Sequence, residues 1–105
     1  MTNYFCWDQR LGIYLPHLSK EWEQYLKEEQ MRILLEWEHI RGQIPDRIRE
    51  VEQQIDMLQH QLGEEEQFER SCQINQQIAE LASIINDLWI WYRVQGHITV
   101  KKADT

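Results

Sequence analysis

Apolar residues recur at helical spacing through most of this chain, and at strand-like spacing near its start. Leu18, Trp22, Leu26, Ile33, Trp37 and Ile40 fall three, four or seven apart. That spacing predicts a first helix beginning near Ser19, a plausible N-cap, with Glu21 in its first turn. Gly42 is a natural stop, and Pro45 a natural first-turn residue for the next helix. Ile44, Ile48, Val51, Ile55, Leu58 and Leu62 then follow a strict 4-3-4-3-4 spacing over a second helix, Pro45–Leu62, with Met57 as the one other apolar residue. A seam this narrow belongs to a coiled-coil-like hairpin. Gly63 permits a tight reversal, and Glu64, Glu65 and Glu66 suit the first turn of a third helix reaching about Gln95. Its seam is Phe68, Ile74/Asn75, Ile78, Leu81/Ala82, Ile85, Leu88/Trp89 and Tyr92. Folding back at Gly63 brings Trp37 level with Trp89. The apolar pattern also passes through Gly42–Pro45 with a small slip, so one long kinked helix is the alternative to a break there. The break is preferred, because proline removes a backbone donor and disfavours a helical residue before it.

Residues 3–15, "NYFCWDQRLGIYL", are aromatic and β-branched around a polar Asp8-Gln9-Arg10 and Gly12. They read as a short β-hairpin ended by Pro16. A lone hairpin is marginal in water, so it must lie on something or gain a third strand, which His97–Lys101 offers. The fold class expected is mainly α: an antiparallel αα-hairpin or three-helix coiled-coil-like bundle, with a short N-terminal β-hairpin and a candidate C-terminal strand. At 105 residues it forms one domain, with an arm over 1–16, three helices over 17–96 and a tail over 97–105.

The end of the third helix, "DLWIWYRVQG", raises the functional question. On a 100° wheel Leu88, Trp89 and Tyr92 join the seam, while Ile84, Trp91 and Val94 lie opposite or lateral and Ile90 lies beside them. A helix apolar all round is covered all round. The cover is the N-terminal hairpin, a second copy of the chain, or another protein or apolar ligand. Trp, Tyr and Arg are enriched at interface hot spots. The candidate interaction surface is therefore Ile84, Trp89, Ile90, Trp91, Tyr92, Arg93 and Val94, with Trp7 from the hairpin. Asn75, beside the seam, is of the type that fixes register or oligomeric state, although a solvated position at the seam edge is the simpler reading. Asn86 and Asp87 are candidate partners for an indole N–H.

The formal charge of −7 is spread over the expected helices, with −2, −2 and −4 on the three and +1 on the tail. No Lys/Arg cluster is present, which argues against nucleic acid and against an anionic membrane surface. No apolar run approaches the roughly 20 residues of a membrane span. Cys6 and Cys72 are widely separated and outside any C-x-x-C spacing, and no secretory signal pattern is visible. Reduced thiols in a cytoplasmic protein are expected, with Cys72 half-buried at the seam edge. Phosphate loops, nucleophile elbows and zinc spacings are missing, so no cofactor, metal or catalytic residue is assigned. Glu36 and His39 form one E-x-x-H pair, and a di-iron carboxylate site needs two. Asp56 and His60 are an i,i+4 surface pair.

These features support a non-enzymatic acidic helical protein. It self-associates, as a homodimer, or docks another protein through the aromatic end of the third helix. The alternatives are a regulatory helical hairpin that inhibits a signalling or transcription protein through Glu64, Glu65, Glu66 and Glu69, and a dimeric metal-dependent oxidoreductase using Glu36 and His39.

Overall fold

Asp8 begins the tertiary structure by making its own turn. Its carboxylate accepts from the Leu11 N–H at 2.8 Å, and its carbonyl accepts from the Gly12 N–H at 2.7 Å. Gly12 sits at φ +75°, a left-handed conformation that costs other residues strain. The computed structural model describes residues 4–95. This turn joins β1 (Phe5–Asp8) to β2 (Ile13–Pro16), antiparallel, with Phe5 opposite Pro16 and Asp8 opposite Ile13. The expected strand His97–Lys101 lies outside the described residues.

The first helix starts later than Ser19. The Ser19 and Lys20 N–H groups instead donate to the Tyr25 hydroxyl, at 3.1 and 3.3 Å. A 3₁₀ turn follows at Trp22–Gln24, where the Gln24 side chain accepts from the Glu21 N–H. Leu26 is extended, with its N–H bonded to Glu29 at 3.1 Å. Helix α1 then spans Lys27–Gly42 and α2 spans Ile44–Glu64. Gln43 alone separates them, and Pro45 lies in the first turn of α2. The missing proline N–H relaxes the hydrogen-bond ladder here, so α1 and α2 form one long helix with a bend. Helix α3, Phe68–Tyr92, folds back antiparallel on α2.

The reversal lies beyond Gly63. Helix α2 runs through Gly63 to Glu64, and the chain turns at extended residues Glu65 and Gln67. The Gln67 N–H donates to the Glu65 carboxylate at 3.2 Å. Glu64 therefore ends a helix rather than starting one, and Glu69 is the acid in the first turn of α3. Moving the turn also slides α3 along its partner. Trp37 faces Val94 and Trp91, not Trp89.

Two regions result in a molecule 59 Å long. At the root, β1, β2, α1 and the inner ends of α2 and α3 enclose one core, with Phe5, Leu11, Ile13, Ile33, Trp37 and Leu88 among its buried members. Beyond it, α2 and α3 continue outward as a two-helix arm.

The glycines separate these assignments. A Cβ on Gly12 would stand 2.5 Å from Nε of Arg47, and that nitrogen donates to the Leu11 carbonyl at 2.7 Å. Gly12→Ala should destabilise by about 1–2 kcal/mol. Gly63 has open space around it and helical surroundings. Gly63→Ala should raise stability by about 0.5 kcal/mol. Urea midpoints of the two variants check both signs, and a loss at Gly63 would return the reversal to that residue.

Candidate interaction surface

Trp37 organises the aromatic end. It is fully buried. Its ring stacks on Phe5 of β1, with centroids 6.3 Å apart and planes 10° apart, and meets Trp91 of α3 edge-on at 5.8 Å and 72°. Its indole N–H donates to the Val94 carbonyl at 2.7 Å, so Asn86 and Asp87 are not its acceptors. One turn along, Arg41 donates to the Tyr92 carbonyl at 2.8 Å and lies 4.9 Å over the Tyr92 ring. Its hydrogen bonds with Glu38 raise the guanidinium pKa above the usual value.

The eight candidate residues consequently divide. Ile84 is buried, and Trp91, Tyr92 and Val94 are half-buried. Of the seam expected at this end of α3, Leu88 is buried, Ile85 and Tyr92 are half-buried and Trp89 is exposed, while Ile84, expected on the other side, is buried. The chain's own β1 and α1 supply much of the cover for the aromatic end. Trp89, Ile90, Arg93 and Trp7 remain exposed. Trp89 is 37% and Ile90 50% accessible, and Trp89 leans edge-on against Tyr92 at 5.5 Å. Trp7 is set apart on the hairpin, against Tyr14 at 5.1 Å.

A second surface lies along the arm. Ile74 is sealed there, but Ile55, Leu58, Leu62, Ile78 and Leu81 are half-buried, because two helices cover only part of each other's apolar stripe. A groove of about 350 Å³ runs between them, lined by Gln54, Met57, Leu58, Gln61, Gln77 and Leu81. Met57 is 64% exposed and forms the ridge between this groove and a hollow of about 340 Å³ beside Asp56 and His60. The sequence signal for this surface was Met57, the one apolar residue off the seam of the second helix.

The inner part of the same face is filled by the β1–β2 turn. Arg10 donates to Glu80 at 3.0 Å, Asp87 at 2.8 Å and Ser83 at 2.8 Å, all on α3. These bonds, first to Asp87 and then to Glu80, raise the pKa of Arg10. Leu11 is 3% exposed, and Arg47 of α2 holds its carbonyl. The turn therefore straddles both helices.

Charge follows the same division. Residues 50–80, which include the arm, carry eight acids and one arginine, while the rest of the sequence has ten acids and ten bases. At the border, Glu50 pairs with Arg47 and Glu80 with Arg10.

Other residues singled out in the sequence are placed as follows. Cys6 and Cys72 are free and exposed, so Cys72 is not half-buried. Asn75 is exposed, off the seam. His60 pairs with Glu64 at 3.3 Å rather than with Asp56. Nε2 of His39 lies 3.3 Å from the Gln43 amide nitrogen. Among the described residues no three His, Cys, Asp or Glu converge on a point, and no helix is long and apolar enough to cross a membrane. Comparison with protein-family models, with characterised proteins and with solved structures gives no match.

The burial division yields a direct comparison of two neighbouring tryptophans. Trp91→Ala opens the cluster around Trp37 and should cost about 2–4 kcal/mol. Trp89→Ala removes a side chain at the surface, 37% accessible, and should cost less than Trp91→Ala, about 1 kcal/mol. Denaturant unfolding followed by circular dichroism measures both, and equal losses would contradict the burial assignment.

Proposed function

We propose that this chain is a non-enzymatic protein–protein interaction module that pairs with a second copy through the exposed end of α3. The observation that carries this reading is the adjacent pair Trp89–Ile90, which stays accessible although the core beside it is closed. An aromatic and a branched aliphatic side chain on one rigid helix end, next to Arg93, have the composition of an interface hot spot. Twofold pairing is the commonest way a small protein covers such a surface. The free, exposed Cys6 and Cys72 fit a cytoplasmic setting that keeps thiols reduced.

The arm favours a second reading, a regulatory hairpin that captures a basic partner. Its support is the concentration of the formal charge on residues 50–80, since complementary charge speeds encounter and selects partners.

Light scattering on a sizing column tests the first reading. The native chain should show twice its 12.9 kDa mass, and the double variant Trp89→Ala/Ile90→Lys a single chain mass with an unchanged circular dichroism spectrum. A native protein that stays monomeric at high micromolar concentration would overturn self-association through this end.

A further inference from the structure

We propose that the open groove on the arm, between α2 and α3, binds a basic amphipathic helix of a partner protein. The proposal rests on reading the chain as an interaction module, and adds a site and a ligand class to it.

The groove's chemistry is stated by what already occupies its inner part. Residues seven apart share a helix face, so Arg47, Gln54 and Gln61 line one side of α2, and Gln77 and Ile84 one side of α3. The β1–β2 turn covers the inner part of this face by setting Arg10 on Glu80 and Asp87 and burying Leu11 beside it. A cation over carboxylates next to an aliphatic side chain is the combination the face accepts. Beyond Leu11 the same face is uncovered, lined by Met57, Leu58 and Leu81 with three glutamines. Glu50 and Glu64 lie one heptad to either side of Met57, so acids bracket the groove, each exposed and shared with a neighbour on α2, Arg47 and His60.

A helix is the occupant that fits the seam. Ile55, Leu58 and Leu62 already follow coiled-coil spacing, and a third helix laid between two such helices covers the edges they leave open. The stretch Gln54–Glu64 spans about 16 Å, some three helical turns. A methionine ridge suits such a guest, because its flexible thioether adapts to varied side chains. Two arms placed side by side would bring one acidic surface against another, which disfavours a second copy here.

Titration of the full-length, ¹⁵N-labelled chain tests this. The probe is a synthetic helical peptide of about five turns with leucines at i, i+3, i+4 and i+7 and lysines elsewhere. Two controls accompany it: the same leucine pattern with glutamates replacing lysines, and a scrambled peptide of the lysine composition. The expected result is amide shifts centred on Gln54–Gln61 and Gln77–Leu81 with the lysine peptide alone. Affinity should fall at least about tenfold, or 1.4 kcal/mol, in the surface variant Gln54→Arg/Gln61→Arg, and should weaken with salt. Equal binding of the scrambled peptide would reduce the effect to bulk charge attraction and overturn the proposal. Shifts confined to Trp89 and Ile90 would also overturn it while leaving the module reading intact. A native dimer whose mass halves in Gln54→Arg/Gln61→Arg would assign the groove to a second copy. No shift with any of the peptides would reject the site.

Discussion

The position of α3 depends on one buried indole. Trp37, on α1, joins that helix to two others of the root's elements: it stacks on β1 through Phe5, touches α3 through Trp91, and bonds the Val94 carbonyl just past the end of α3. The hydrogen bond matters because an indole N–H buried without an acceptor is costly. The requirement fixes how far α3 slides along its partner helix, and so which side chains of its last two turns face in. Trp91 goes inward because Trp37 is there to receive it. Trp89 and Ile90 stay outside as the complement of that choice.

The kinds of element and the seam of α2 were legible in the sequence; their boundaries, and the pairing between them, were not. The heptad spacing from Ile44 to Leu62 located α2, and Asp8 through Gly12 marked the hairpin turn. Gly63 points to a reversal by its conformational freedom, but the chain turns three residues later, where Glu65 and Gln67 take extended backbone and a carboxylate caps the connection. That shift of three residues accounts for the exchange of Trp89 for Trp91 at the core. Likewise Ser19 lost its role as a cap to a tertiary contact, the Tyr25 hydroxyl, which local pattern could not reveal.

The charge distribution teaches a related point. Counted by helix, the acids look uniform. Counted by position in the fold, residues 50–80 carry a net −7, while the other described residues nearly balance, with nine acids and eight bases. Near balance outside that stretch is physically sensible, since the root packs basic and acidic side chains closely, as Arg10 does with Asp87 and Arg41 with Glu38. The arm is a pair of helices with water on most sides, where like charges cost little. Its half-covered apolar stripe is therefore kept solvated by the acids around it.

The clasp of Arg10 on Glu80 and Asp87 closes a loop of 70 to 77 residues. Closing so long a loop costs more chain entropy than zipping α2 to α3 across a three-residue connector. Contacts near the tip are local, whereas those of the root tie together the two ends of the described chain. During synthesis the N-terminal hairpin emerges first, yet its docking surface is complete only once Asp87 has been added. Phe5 can stack on Trp37 once α1 is made, but the clasp that seats Arg10 on α3 closes only when Asp87 is present, so the α3 side of the root is completed after its α1 side.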